Sequence, residues 1–162
     1  MSAQGRPVCF GEGYPMSTRI RARGFTLLEA MIVVAILAVL ASVALPSYAS
    51  HVKRSRILEA VARLSDARAR MEEWFLDQRT YVDDAGHCAI APTSANPGDA
   101  FALSCVGTAT TFTYTATGIA DKGMERFAYT IDQTGARTTA SLPAGWSRTS
   151  DCWTIRPDGL CV

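Results

Sequence analysis

Residues 23–45 read Arg23-Gly24-Phe25-Thr26-Leu27-Leu28-Glu29-Ala30-Met31-Ile32-Val33-Val34-Ala35-Ile36-Leu37-Ala38-Val39-Leu40-Ala41-Ser42-Val43-Ala44-Leu45. From Phe25 to Leu45 the 21 residues hold one charge, Glu29, and no Gly or Pro. As a helix this run is roughly 32 Å long, enough for a hydrocarbon core of about 30 Å. The sequence therefore predicts a membrane span. Arg19, Arg21 and Arg23 precede it, and the positive-inside rule places that end in the cytoplasm and everything after Pro46 outside.

Glu29 is the anomaly of the run. An acid at mid-bilayer costs about 2.5–3.5 kcal/mol, and less near an interface. One reading is an interfacial carboxylate that snorkels to the headgroups. The sharper reading is an acid that awaits a positive partner. Cleavage between Gly24 and Phe25 creates one, a free amine four residues from the carboxylate.

The ordered set of basic leader, Gly24, Phe25, Glu29, apolar run and Pro46-Ser47-Tyr48 resembles the N-terminus of type IV pilins, densely over residues 19–52. The resemblance implies that a prepilin peptidase cuts after Gly24 and N-methylates Phe25. It implies that Glu29 meets the terminal amine during filament assembly. Its implied partners are prepilin peptidase, other pilin subunits in a helical filament and the inner-membrane assembly machinery. The implied location is the bacterial inner membrane, single-pass with the head outside the cytoplasm, and then a cell-surface pilus. Residues 1–24 become a leader removed on processing, with Met16 as the expected start of translation. Residues 1–15 show no periodicity, and no Ala-x-Ala site supports an ordinary secretory signal.

Composition allows an anchor plus one small domain. Hydrophobic residues are 48% and charged ones 19%, which excludes a disordered chain. The net charge of +1 hides an asymmetry, because residues 25–162 hold 12 Lys+Arg against 14 Asp+Glu. A mildly acidic mature chain has no global pull toward nucleic acid.

Pro46 removes one backbone donor, so a kink or loosened turn is expected there, with Ser47 offering a local substitute. Helical pattern resumes at once. Tyr48, Val52, Ile57, Leu58, Val61, Leu64, Met71, Trp74 and Phe75 recur at three- and four-residue steps, and residues 46–79 are read as the amphipathic half of one long helix. Lys53, Arg54, Arg56, Arg63, Arg68 and Arg70 share this half with Glu59, Asp66, Glu72 and Glu73. Interleaved acids at helical spacing favour a solvated or subunit-facing surface over a phosphate-tracking one. Nucleic acid is thus a possible partner but not the favoured one.

Residues 80–162 are read as a β head. Turn formers fill 83–99, then period-two alternation sets in. Residues 111–117 put Phe112, Tyr114 and Ala116 on one face, and residues 126–132 do the same with Phe127, Tyr129 and Ile131. Gln133-Thr134-Gly135 turns into a strand at 136–140, and a fourth strand is expected around Cys152-Trp153-Thr154-Ile155. The expected fold is α+β: a long N-terminal helix on a small antiparallel sheet of about four strands, the pilin fold that the resemblance implies.

Five cysteines are present, and Cys9 lies upstream of the proposed cut. The other four fall outside the membrane, where disulfides persist. Of three connectivities, Cys88–Cys105 with Cys152–Cys161 is preferred, because each bond closes a loop-rich segment. The C-terminal pairing also resembles the stapled C-terminal loop of many type IV pilins. Zinc is the rival, disfavoured because the spacings are not Cys-x-x-Cys and only His87 is close.

No catalytic constellation stands out. His51 reads as a helix-surface residue, His87 as a loop residue, and Asp83-Asp84 as a solvated turn. No nucleophile elbow, phosphate loop or ligand-spaced helical pair occurs, so neither an enzyme nor a cofactor is expected. The expected function is a structural subunit of a type IV pilus, most like a minor pilin, serving pilus biogenesis, twitching motility or adhesion. The alternatives are a type II secretion pseudopilin, a DNA- or surface-binding pilin, and an enzyme tethered by a signal anchor.

Overall fold

Helix α1 runs from Leu27 to Gln78 in the computed structural model, which describes residues 25–92 and 96–162. Gly24, Met16 and Cys9, on which sequence expectations fall, lie outside the described residues. The helix continues through Pro46, the one proline in its 52 residues. Ser47 takes part through its carbonyl, which accepts a hydrogen bond from Ser50 Oγ at 2.7 Å. Arg79 ends the helix in the left-handed conformation (φ 57°), donating its N–H to the Phe75 carbonyl at 2.9 Å. The chain falls into two compact units, one up to Ala41 and one from Ser42 to Val162.

In the second unit four strands form an antiparallel meander in the order β1 (Phe101–Gly107), β2 (Phe112–Gly118), β3 (Ala128–Asp132) and β4 (Arg137–Ser141). One face carries Phe101, Phe112, Tyr114, Ala116, Tyr129 and Ile131, all buried, and threonines crowd the other. Register aligns Tyr114 with Ile131 and Ala116 with Tyr129 across β2 and β3. Against that face α1 lays Ile57, Ala60, Val61, Leu64, Ala67 and Met71, which share one core with the sheet. Full burial of each larger aliphatic side chain stabilises by about 1.5–3 kcal/mol, so this seam holds helix to sheet. Tyr48, by contrast, is exposed and belongs to no seam.

The fourth strand is β1, not the segment around Cys152. Residues 152–155 make a bridge, Thr154 with Cys161, beside the turn Arg156-Pro157-Asp158-Gly159. Trp153 exchanges both backbone hydrogen bonds with Val162 at 3.0 Å, leaving no ladder to β4. Side chains do the docking instead. Tyr129 Oη donates to the Thr154 carbonyl (2.8 Å), Thr139 Oγ1 donates to the Cys152 carbonyl (2.8 Å), and Trp153 Nε1 donates to the Thr130 carbonyl (2.9 Å). Burial pushes the Tyr129 phenol up and the Tyr114 phenol up to about 12, so both remain neutral donors. The Tyr114 donor reaches the Ile90 carbonyl at 2.6 Å.

Disulfides join Cys88 to Cys105 and Cys152 to Cys161, with Cα separations of 6.1 and 5.8 Å. Between β3 and β4, Asp132 Oδ1 accepts from the Thr134 hydroxyl and from the amides of Thr134 and Ala136. Burial alone would raise its pKa, but these bonds outweigh it and hold the carboxyl below the ordinary range. That turn therefore keeps its support until pH falls through the lowered value.

Gly118 closes β2 where the chain doubles back. A Cβ there would meet the Met124 carbonyl oxygen at 1.8 Å. The obstacle is backbone, held by the Phe127 N–H donating to that same carbonyl at 3.2 Å. Gly118→Ala is expected to cost about 1–3 kcal/mol, read as a lower urea midpoint with an unchanged slope.

Candidate functional site

The first turn of α1 carries the residues of interest. Thr26 stands just outside the helix, and its Oγ1 accepts the Glu29 N–H at 3.2 Å. Its carbonyl takes the first helical bond, from the Ala30 N–H at 3.1 Å. Thr26-Leu27-Leu28-Glu29 is thus a Thr-x-x-Glu capping pattern, with the Thr half made. A cap matters more in lipid than in water, because the first N–H groups of a helix find no solvent there. The carboxylate of Glu29 also lies in the first turn, where the helix dipole favours negative charge. Sequence reasoning passed over Thr26, although the pattern that reveals it is four residues long and contiguous.

Beyond Glu29 every side chain to Leu45 is exposed, and none of the 18-residue window of mean hydropathy 2.6 is buried. Phe25 is 78% exposed and Val43 72%. Apolar exposure of this extent calls for lipid or for other chains. By length and composition the helix is able to cross a membrane.

The basic residues of the outer helix divide in two. Towards its C-terminal end they are neutralised: Arg63 pairs with Asp99 at 2.8 Å, Arg70 with Asp66 at 3.0 Å and Arg68 with Glu72 at 3.9 Å. The Asp99 partner comes from the loop before β1 and was invisible to helical spacing. Lys53, Arg54 and Arg56 have no carboxylate partner among the described residues, and Arg56 donates to the Lys122 carbonyl. His87 is exposed, with Nδ1 3.9 Å from Asp83 Oδ1. Among the described residues no group of three His, Cys, Asp or Glu is placed to hold a metal.

The model of the prokaryotic N-terminal methylation motif matches residues 19–45. That of the type IV minor pilin ComP, DNA uptake sequence receptor, matches residues 46–128, more than half of the chain. The chain belongs to the type IV pilin family. This pilin is 35% identical over 106 residues to the fimbrial protein EcpC of Eikenella corrodens, covering 64% of the pilin and 69% of EcpC. It is 38% identical over 74 residues to the type IV major fimbrial protein FimA of Dichelobacter nodosus, and 34% over 76 residues to the type IV major pilin protein PilE of Neisseria gonorrhoeae. It spans 45% and 46% of the length of those two relatives. The solved chain of the Neisseria meningitidis non-core minor pilin PilV aligns with a TM-score of 0.47 at 17% identity, over 57% of this pilin and 91% of PilV. Members of the family are structural subunits and are not known as enzymes. This pilin is accordingly a structural subunit of a type IV pilus, and its exposed apolar helix is consistent with membrane anchoring and with a place in the pilus.

Proposed function

We propose that this pilin is a minor subunit, made as a precursor and processed by prepilin peptidase, which cuts after Gly24 and N-methylates Phe25. It then waits in the bacterial inner membrane, head outside the cytoplasm, until the assembly machinery packs residues 25–45 among those of other pilins. The observation that carries the reading is the adjoining pair of family matches, methylation motif to Leu45 and minor pilin from Pro46. The cysteine-stapled C-terminal loop supports a pilin over a type II secretion pseudopilin.

Processing is tested by intact mass. Protein from membranes of a peptidase-competent cell is expected to begin at Phe25 with one added methyl group, and Gly24→Ala to retain the leader. A wild-type chain that keeps its leader there would sink the reading.

A second reading is favoured by the ComP match: a minor pilin whose head contacts DNA. The group Lys53, Arg54 and Arg56, which forms no ion pair among the described residues and has the backbone of Lys122 drawn against it, supplies charge of the right sign. Fluorescence anisotropy with a labelled duplex is expected to show binding that weakens steeply with salt. K53Q/R54Q/R56Q should lower the salt slope by about one per lost phosphate contact. An unchanged slope, or no binding at low salt, would remove DNA from the function.

A further inference from the structure

Between the start of the outer helix and the C-terminal stretch lies a cavity of about 550 Å³, within the range of small-ligand sites. Its walls are of two kinds. Pro46, Ala49 and Trp146, with Ile155 beneath, form an apolar side, whereas Lys53, Arg54 and Arg156 supply cations, and His51 joins the rim. Of these cations Arg156 has an ion-pair partner among the described residues, Asp158, 3.4 Å from its Nη2 and more than half exposed. Arg54 Nε is buried without a hydrogen-bond acceptor among the described residues. An anion that enters the cavity is stabilised by the guanidinium and ammonium charges on its wall.

We propose that this cavity binds the headgroup of an anionic phospholipid while the pilin is in the membrane. Position along the helix favours that occupant. Pro46 directly follows Leu45, the last residue of the apolar run, so a helix that spans the bilayer sets the next turns in the headgroup layer. Trp146 supplies the amphipathic ring that suits such a layer. The lipid phosphate meets Arg54 and Arg156, and the glycerol end of an acyl chain lies along Pro46, Ala49 and Trp146. A DNA duplex carries its phosphates on a convex rod and offers nothing to an apolar wall, so it fits this concave, half-apolar site less well. The inference rests on the reading of residues 25–45 as a membrane span.

The test uses the full-length pilin in mixed micelles of detergent with phosphatidylglycerol or phosphatidylcholine, with retained lipid counted by native mass spectrometry. One phosphatidylglycerol should be retained in preference to phosphatidylcholine. R54Q/R156Q should weaken that retention roughly 30-fold, the equivalent of two cations at an anionic lipid surface. R79Q/R126Q removes the same charge elsewhere and should leave retention unchanged. Ala49→Trp fills the cavity without touching its charges and should also abolish the preference, which guards against a fold defect in the arginine variant. Equal retention of both lipids, equal loss in R79Q/R126Q, or a duplex oligonucleotide bound through Arg54 and Arg156 in place of lipid would overturn the proposal. Alkaline carbonate extraction separates the two readings. A chain released by carbonate defeats the span itself, whereas a chain that stays in the membrane without lipid preference defeats only the headgroup site.

Discussion

Glu29→Val is expected to leave this pilin processed, anchored and folded while removing most of it from sheared filaments. In the bilayer the change is neutral or favourable, since an acid in the first turn is exchanged for an apolar side chain. Assembly reverses the sign. As residues 25–45 pack among other chains, the first turn leaves its polar margin, and a charge there is tolerable only when paired. If Glu29 pairs with the terminal amine of a neighbouring subunit, as the family resemblance implies, the acid's loss leaves that amine buried and unpaired, a cost of about 3–5 kcal/mol for a broken buried pair. That is roughly 150- to 5,000-fold in incorporation, read as the ratio of filament to membrane pool. The Thr26 cap supplies a competing explanation, because Glu29 occupies the third position of the capping pattern. Glu29→Gln separates the two. An amide serves a capping pattern as well as an acid does but carries no charge, so Gln should fail in assembly as Val does. Normal incorporation of the Gln variant would assign Glu29 to the cap.

Trp153→Ala is expected to be the most destabilising single change in the head, at about 3–5 kcal/mol. Only 1% of the side chain is exposed. Its removal leaves a cavity between sheet and C-terminal segment and takes away the indole N–H that the Thr130 carbonyl accepts at 2.9 Å. It also withdraws the ring from beneath Arg137, whose guanidinium carbon stands 5.0 Å from the ring centroid. Against the 5–15 kcal/mol typical of small domains, this loss takes a large share of the total. Urea unfolding followed by far-UV circular dichroism measures it. A loss under about 1 kcal/mol would mean that residues 152–155 are not part of the core.

Much of the fold was legible because two periodicities are strong. Steps of three and four from Ile57 to Met71, without Gly or Pro, mark a helix with one buried stripe. Alternation through 112–116 and 127–131 names the inner face of β2 and β3 residue by residue. Strand β1 escaped because its outward positions include Ala102 and Val106, which blur the alternation that Phe101, Leu103 and Cys105 would otherwise show. The segment around Cys152 looked like a strand because Trp153 and Ile155 are buried and β-prone. Its backbone partners, however, are Val162, Leu160 and the side chain of Thr139, and no local pattern reports such contacts. The same limit hid the Arg63–Asp99 pair and the cavity beside Arg54, each built from residues distant in sequence. Thr26 is the opposite case. Its signal was local and complete.

Every core residue among those described falls between Ile57 and Ile155. A screen for heat-resistant or protease-resistant head variants would therefore be blind to Glu29 and to the whole of residues 25–45. Conversely, a screen for lost filaments would collect lesions there that no melting curve detects. The two stretches answer to separate selections, so the anchor is free to stay compatible with co-assembling subunits while the head drifts toward new surfaces. A chimera that exchanges residues 25–45 with another pilin's should keep this head's melting temperature and acquire the other's choice of filament.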